Sequence, residues 1–373
     1  MKKLLALTLI IITLFSLFSC AEPAYEPIES TEEEARTVMT LRYGDKSYDV
    51  KYELYRAFFL TYKSEIDGGD KSVWTSEAKD EYIDRANELI IDSILEIYST
   101  FALAESIGIN PYGGDIESKI NEYIKISVEG GDRDGVSYEG YESYEAYLAA
   151  IKALNLNYSV QTLLFRYSIL VDMIDDYYLG EITESDVASG NLSIGKLSYT
   201  KNDVLSFYNS DDCVRLLRTY ISDEMDNNPA ARAERVRNAI ASAAEYGEDR
   251  VRDEMIGQGT MNTVPELEEG YVLGKYNLAL LVYGDMVDEA FTLADGEVGD
   301  VVRIHDGNQM LYYILYKAEK SNEHFERNYS EISYIYLRHT VGSYYESYRE
   351  AMKESVTLTD VYQTIDHSKI AMS

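Results

Sequence analysis

The stretch from Asp295 to Lys320, DGEVGDVVRIHDGNQMLYYILYKAEK, decides the predicted fold of the second half of this chain. Gly296 and Gly307 are residues typical of turns, and the segments after them are rich in the β-branched and aromatic residues that strands favour. The pattern therefore predicts a turn, a strand, a second turn and a longer strand. Immediately upstream, the segment MVDEAFTL from Met286 to Leu293 predicts a short helix that leads into the first turn.

The order and spacing of these elements resemble the C-terminal part of the parvulin family of peptidyl-prolyl isomerases. In that family an AF helix, a GE(V/I)S turn and a GYHIIKV strand follow one another. The counterparts in this chain are Ala290-Phe291, Gly296-Glu297-Val298 and Tyr312-Tyr313-Ile314-Leu315. The last motif contains a departure, because Tyr313 stands where the family's strand carries a histidine.

The segments upstream extend this resemblance. The run CVRLLRTYI from Cys213 to Ile221 parallels the family's first strand, VRAxHIL, and places Arg218 on the first family histidine. A helix is expected from Pro229, a residue suited to a first helical turn, to about Tyr246. The remaining predicted elements are a short helix at 203–208, a second helix near 249–256 and a strand at 270–273 that loosely matches the family's GDLGWF.

The resemblance implies a slot for proline with two apolar walls and a polar network that usually includes two histidines. Alignment on Ala290-Phe291 places Met286 on the family's pocket phenylalanine and Val282 on its pocket methionine, so both walls remain apolar. Arg218 and Tyr313 replace the two histidines. We therefore assign no catalytic residue, and we treat these four positions as a degenerate parvulin site.

The replacement of the histidines predicts a loss of catalysis. Rotation about a peptide bond meets a barrier of about 18–20 kcal/mol, and a guanidinium, which stays charged and accepts no hydrogen bond, cannot act as a neutral imidazole. Isomerase activity is therefore expected to be absent or very weak. If the slot is buried, the charge of Arg218 needs a partner, and a nearby acidic residue and the Tyr313 hydroxyl are the two candidates.

The first half of the chain is predicted to be mainly helical. A hairpin at 38–50 precedes a helix within 51–63 and a long helix from Ala78 to Ser106, which ends before Gly108 as helices commonly do. Further helices are predicted at 115–127, 143–154 and 159–179.

This order of elements resembles the N-terminal chaperone module of extracytoplasmic foldases and chaperones of the PrsA and SurA kind. In those proteins the module precedes a parvulin domain, and a C-terminal helix returns to it. The aromatic stripe between Phe325 and Met352 is the candidate for that returning helix.

The N-terminus has the pattern of a secretory signal. Lys2 and Lys3 precede an apolar run, which is short for a membrane span and ends at Ser19-Cys20. The segment before Cys20 also resembles a bacterial lipobox, which implies that Cys20 is lipidated and anchors the chain to a membrane. A plain signal peptide and an uncleaved anchor are the alternatives. Residues 21–37 are rich in glutamate and predict a solvated tether.

The chain of 373 residues has a formal net charge of −32, which becomes −34 if residues 1–19 with Lys2 and Lys3 are removed. This charge argues against nucleic acid as a partner. The 35 tyrosines suit a peptide-binding surface, and they equally suit an ordinary core in which tyrosine replaces phenylalanine.

The sequence predicts no metal site and no cofactor. The histidines are scattered without metal or triad spacing, and no phosphate-binding loop or nucleophile elbow occurs. If Cys20 is lipidated, Cys213 is alone, and its place in a predicted strand indicates a buried and inert thiol. The four histidines are His305, His324, His339 and His367.

We therefore predict an α+β chain with a discontinuous helical chaperone module and a parvulin-like domain whose small antiparallel sheet is flanked by helices. The predicted segments are a signal peptide at 1–19, a lipidated cysteine and acidic tether at 20–37, the module at 38–205, the parvulin-like domain at 206–320 and a returning helix at 321–373.

The predicted function is that of an extracytoplasmic chaperone, lipid-anchored to the bacterial cell membrane, which binds unfolded or proline-containing secreted polypeptides. Two alternatives stay open. One is an active prolyl isomerase with a diverged site, and the other is a surface lipoprotein for adhesion or solute capture that retains only the fold.

Overall fold

The computed structural model describes residues 25–133, 136–180, 193–222, 227–258, 269–276, 284–306 and 309–372. Cys20 and Val282 lie outside these ranges. The chain divides into two compact units. Among the described residues, the first unit contains those up to Asp175 and those from Tyr344 onwards, and the second contains those between Asp176 and Ser343.

Helices dominate the described residues, and short antiparallel strands complete an α+β structure. The helices are α1 (Tyr52–Asp67), α2 (Lys79–Ser106), α3 (Gly114–Glu129), α4 (Tyr144–Ala153), α5 (Tyr158–Leu179), α6 (Lys201–Tyr208), α7 (Pro229–Ala244), α8 (Glu248–Gln258), α9 (Gly284–Thr292), α10 (Asn322–Arg327), α11 (Tyr329–Lys353) and α12 (His367–Met372). The strands are β1 (Thr37–Tyr43), β2 (Lys46–Lys51), β3 (Gly131–Arg133), β4 (Val136–Tyr138), β5 (Ser193–Ile194), β6 (Leu197–Ser198), β7 (Cys213–Ser222), β8 (Tyr271–Gly274), β9 (Val302–Asp306), β10 (Gln309–Ala318) and β11 (Thr357–Leu358). None of the helices in the described ranges has the length and apolar character that a membrane span needs.

The first unit combines a small sheet with long helices. Strands β1 and β2 form the predicted hairpin, in which Tyr43 pairs with Lys46 across a left-handed Gly44, and β11 pairs with β1 on its other side. Helix α2 buries the apolar stripe that its sequence predicts, since Ile90, Ile94 and Phe101 are fully buried.

The C-terminal end of the chain is fastened to helix α1 by buried polar contacts. The Tyr55 hydroxyl lies 2.8 Å from His367 Nε2 and donates to Asn87 Oδ1 at 2.7 Å. Lys63 donates to the carbonyl of Ala371 at 2.6 Å. The last residues therefore belong to the core of the first unit.

Residues 25–36, which are part of the predicted acidic tether, are mostly exposed and contact the first unit at several points. The Tyr25 hydroxyl donates to Glu129 Oε1 at 3.0 Å, and its ring lies 4.8 Å from that of Tyr144. Ser30 donates to the buried carboxylate of Glu53 at 2.5 Å. The described part of this glutamate-rich segment therefore lies on the surface of the first unit, with most of its side chains exposed to solvent.

The second unit is built on a four-stranded antiparallel sheet with the strand order β8-β7-β10-β9. Strand β10 occupies the centre with β7, and Tyr313 pairs with Tyr220 while Leu315 pairs with Arg218. The described residues between 213 and 318 form, in order, a strand, two helices, a strand, a helix, a turn and two strands.

Helices cover both faces of this sheet because β7 and β10 are apolar on both sides. One face holds Val214, Leu216, Leu311 and Leu315 against helix α9, and we call it the α9 face. The opposite face packs on helices α7 and α8, and we call it the α7–α8 face. Its buried side chains include Leu217, Ile221, Val236, Ile240, Val251 and Ile314.

Helix α11 is divided between the two units, whereas the sequence analysis assigned the whole segment 321–373 to the chaperone module. Its first half belongs to the second unit, where Tyr336 contacts Phe207 and His339 contacts Tyr276 through their rings. Its last turns belong to the first unit, where Arg349 pairs with Asp92 at 3.0 Å.

Candidate functional site

The predicted site residues that the structure describes lie on the α9 face of the second unit. Alternation along β7 places Arg218 between Leu216 and Tyr220 on this face, and β10 contributes Tyr313 beside it. Helix α9 brings Met286, which is completely buried, into the same cluster. The structure therefore brings Arg218, Met286 and Tyr313 together, and Val282 lies outside the described residues.

Among the described residues, aromatic rings and not acidic side chains contact the Arg218 guanidinium. Its guanidinium carbon lies 4.1 Å from the centre of the Tyr271 ring and 5.9 Å from that of Tyr313. Nη1 lies 3.9 Å from the sulfur of Met286, which is a weak acceptor. A cation over an aromatic face gains about 0.5–2 kcal/mol, depending on how far it is desolvated. Among the described residues, the main partner of Arg218 is therefore the face of the Tyr271 ring. The sequence analysis expected a carboxylate or the Tyr313 hydroxyl in this role.

Hydrogen bonding to Arg218 is incomplete within the described part of the chain. Its Nε atom is buried and has no hydrogen-bond partner there, and its guanidinium forms no ion pair with any described carboxylate. The side chain as a whole is partly exposed. This combination leaves a cation on an apolar and aromatic surface with unused donors.

Tyr313 is a buried member of the same cluster. Its side chain is 5% exposed, and its ring centre lies 5.5 Å from that of Tyr220, with the two planes inclined at 51°. Such tilted pairs are favourable for aromatic rings. The position of the family histidine is therefore occupied by a packed aromatic ring.

Arg215 lies on the opposite face of the same strand and was not singled out from the sequence. It is almost buried and forms a two-pronged ion pair with Glu248, whose oxygens accept from Nη1 at 2.9 Å and from Nη2 at 2.7 Å. The carbonyls of Glu269 and Glu319 accept two further hydrogen bonds at 2.9 Å each. This arginine joins β7, helix α8 and the ends of two loops, which is a structural role.

The three histidines whose side chains the structure describes lie in other clusters. His324 Nδ1 is 2.9 Å from the Tyr208 hydroxyl, and burial, together with the charge of Arg215, lowers the pKa of its imidazole. Burial also lowers the pKa of His339 and of His367. No group of three or more metal-ligating side chains occurs within the described ranges.

Cys213, at the start of β7, is completely buried, and this burial raises the pKa of its thiol to about 12. A thiol that stays protonated at neutral pH is a poor nucleophile and a poor metal ligand. The structure therefore agrees with an inert residue here.

A second concave feature lies in the first unit. A cavity of about 240 Å³ opens between β2 and helices α1, α2 and α5. Its apolar and aromatic lining includes Leu54, Tyr98, Tyr112, Val160 and Leu163. Arg166 at its edge is fixed by Glu117 at 2.7 Å and by the carbonyl of Pro111 at 2.7 Å.

Sequence reasoning missed the aromatic partners of Arg218. Tyr271 follows Gly270 in the strand that was matched only loosely to the family, and its distance along the chain from Arg218 gave no reason to connect them. The pairing of β8 with β7 connects them, because it sets Tyr271 opposite Leu216, two residues from Arg218 on the same face.

Comparison with known proteins gives a limited result. No family model matches the chain, and no curated protein matches it. Among solved structures, the foldase protein PrsA from Streptococcus pneumoniae is similar at 13% identity and a TM-score of 0.26, over 75% of this chain and 89% of that one. The foldase protein PrsA from Lactococcus lactis is similar at 13% identity and a TM-score of 0.21, over 90% and 99%. This is a weak similarity at the level of the fold.

Proposed function

We propose that this chain is an extracytoplasmic chaperone that binds unfolded secreted polypeptides and that its parvulin-like unit lacks isomerase activity. The observation that carries the proposal is the geometry around Arg218, Met286 and Tyr313. An apolar and aromatic surface lies where the parvulin resemblance places a proline slot, and the cluster contains no described imidazole.

The surface retains what binding needs and lacks what catalysis needs. Tyr271 and Tyr220 are partly exposed beside the buried Met286, and their rings offer apolar area for a proline ring or an aliphatic side chain. Arg218 carries a fixed charge and accepts no hydrogen bond, so it cannot exchange a proton or accept one from the substrate. Binding without acceleration of the rotation is the expected outcome.

The helical unit adds a second surface for polypeptides. Its cavity near Tyr98 and Tyr112 combines aromatic walls with a charged edge, as sites for side chains commonly do. The acidic net charge of −32 keeps such a protein soluble and disfavours nucleic acid. We propose that both surfaces hold segments of unfolded clients.

Two assays on purified residues 21–373 test this function. Suppression of aggregation of a chemically unfolded secreted protein should be clear near equimolar chaperone, and the isomerisation rate of a proline tetrapeptide should stay near the uncatalysed rate. A rate well above the uncatalysed one that is lost in Met286→Ala supports the enzyme alternative instead. Absence of any aggregation suppression favours a surface lipoprotein that retains only the fold.

The membrane anchor is a separate part of the proposal and rests on the lipobox-like segment before Cys20. Cys20→Ala should release the protein into the medium or leave it unprocessed, as shown by fractionation and by the mass of the mature N-terminus. Normal processing and unchanged membrane retention of this variant would exclude lipidation.

A further inference from the structure

The Arg218 guanidinium is the cation of β7 that has no anionic partner in the described part of the chain. Three residues away, Arg215 is satisfied by a carboxylate and two carbonyls. Among the described residues, Arg218 contacts ring faces and the Met286 sulfur, and its Nε has no acceptor there. A charge placed on an apolar surface without a counter-charge is unfavourable unless a ligand supplies one.

The Nη2 end of the Arg218 guanidinium is the part open to a ligand, because Nε is buried and Nη1 lies 3.9 Å from the Met286 sulfur. When a guanidinium lies over a ring, as Arg218 lies over Tyr271, the ring occupies one face of the planar group. The N–H donors point outward in the plane, in a fork that matches the two oxygens of a carboxylate. Arg218 is partly exposed, and the flanking Tyr220 and Tyr271 are partly exposed as well, so a ligand has access to this end.

We propose that Arg218 is the receptor for a carboxylate carried by the bound polypeptide. This inference rests on the proposed function and names the chemistry of the client segment at that site. An apolar residue of the client would pack on Tyr220 and Tyr271 while the adjacent carboxylate accepts hydrogen bonds from Arg218. The carboxylate can come from an aspartate or glutamate side chain or from the C-terminus of the client.

A single negative charge fits this site better than a phosphate group. One guanidinium balances one carboxylate, whereas a phosphate dianion would keep an excess negative charge. Among the described residues, the other cation near this cluster, Lys317, already donates to the Leu293 carbonyl at 2.7 Å and lies 3.8 Å from Asp295, and the protein has a net charge of −32. The field of the protein therefore disfavours a dianion.

The test measures binding of labelled peptides to the purified full chain in detergent micelles by fluorescence anisotropy. The probe is a fluorescein-labelled decapeptide of alanine, leucine, tyrosine and proline with one central glutamate and an amidated C-terminus. One comparison peptide replaces the glutamate by glutamine. Another carries the glutamine and a free C-terminal carboxylate, which separates the two sources of the charge.

At least one of the two peptides with a carboxylate should bind about tenfold more tightly than the neutral peptide, as expected for a charge-assisted hydrogen bond at a partly exposed site. Arg218→Gln should abolish this preference, so that the peptides with and without a carboxylate bind with about equal affinity. Arg303→Gln is the matched control, because this substitution removes the same charge from the edge strand β9, where Arg303 lies 5.9 Å from the centre of the Tyr312 ring. It should keep the tenfold preference.

Equal binding of all three peptides to the unsubstituted chain overturns the inference and leaves the chaperone function untouched. A preference that persists in Arg218→Gln, or that disappears in Arg303→Gln, also overturns it. If none of the peptides binds, the inference fails, and the aggregation assay then decides separately whether the chain is a chaperone. The peptide comparison needs no protein variant, so poor folding of Arg218→Gln would not prevent the decision.

Discussion

Each face of the four-stranded sheet holds an arginine from strand β7, and the surroundings of the two charges are opposite in kind. On the α7–α8 face, Arg215 is almost buried and meets a carboxylate and two backbone carbonyls. On the α9 face, Arg218 is partly exposed and rests on the ring of Tyr271. Arg215 therefore has its charge and hydrogen bonds satisfied by groups of the protein itself. Arg218 keeps hydrogen-bonding capacity for a ligand.

This contrast indicates that Arg215 is a structural residue, whereas Arg218 is part of a surface that can bind other molecules. Loss of a buried, fully paired cation leaves carbonyls and a carboxylate without donors, so it is costly for folding. Loss of a cation that only touches ring faces removes a weaker interaction.

Arg215→Met should destabilise the second unit by about 3 kcal/mol, because it breaks a buried ion pair and leaves two loop carbonyls without donors. Hydrogen exchange of the β7 and β10 amides, followed by mass spectrometry, reports the stability of this unit separately from the first. Asp253→Asn on helix α8 is the control, since it breaks an exposed pair with Arg250 and should cost less than about 1 kcal/mol. Equal effects of the two substitutions would show that Arg215 is not structural.

Gly270→Ala should destabilise the second unit by about 2 kcal/mol. Gly270 has a φ of +77°, and an added Cβ would lie 2.9 Å from Arg215 Nε and 3.2 Å from the Leu216 carbonyl oxygen. Backbone strain and displacement of the arginine therefore add together.

Gly296→Ala separates these two causes. Gly296 has a similar φ of +84°, but nothing lies within 4 Å of an added Cβ. Its cost of about 1 kcal/mol should report backbone strain alone. The same hydrogen-exchange measurement applies, and a larger loss for Gly296→Ala than for Gly270→Ala would contradict the role given to Arg215.

Arg218→Met should change the stability of the second unit by less than about 1 kcal/mol. The substitution removes the interaction with the Tyr271 ring and adds an apolar side chain to an apolar cluster, so the two effects oppose each other. A loss as large as that of Arg215→Met would mean that Arg218 is part of the architecture, and the difference between the two faces would disappear.

Much of the fold was accessible from the sequence because its elements carry local signals. The strand pairs at 213–222 and 309–318 follow from β-branched and aromatic runs, and helix α2 follows from its apolar stripe. The structure brings Arg218 and Tyr313, two positions that the resemblance singled out, together on the α9 face. These signals are short-range, and pattern reasoning reads them directly.

The missing information was long-range. The contact of Tyr271 with Arg218 depends on the pairing of β8 with β7, and the pairing of Arg215 with Glu248 depends on how helix α8 packs. Charge alone did not distinguish the two arginines, since both lie in one apolar strand. The contacts of residues 25–36 with the first unit were also not predicted, because a single contact such as that of Tyr25 with Glu129 leaves no pattern in the composition.

The pKa of the His324 imidazole should respond differently to the loss of each of the two arginines. Burial lowers the pKa of His324 first, and the charge of Arg215 lowers it further. Arg215→Met should therefore raise this pKa, although burial should keep it below the ordinary value near 6.5. Arg218→Met should leave it unchanged, because Arg218 is not among the charges that act on His324.

The sign of the effect on stability follows from this pKa. Because the folded pKa is depressed, the unfolded chain binds more protons below about pH 6.5, and the second unit loses stability as the pH falls from there towards the folded pKa. Nuclear magnetic resonance of histidine-labelled protein measures the pKa directly. An unchanged His324 pKa in Arg215→Met, or an equal rise in both variants, would show that the charge of Arg215 is fully compensated by Glu248 and does not reach the imidazole.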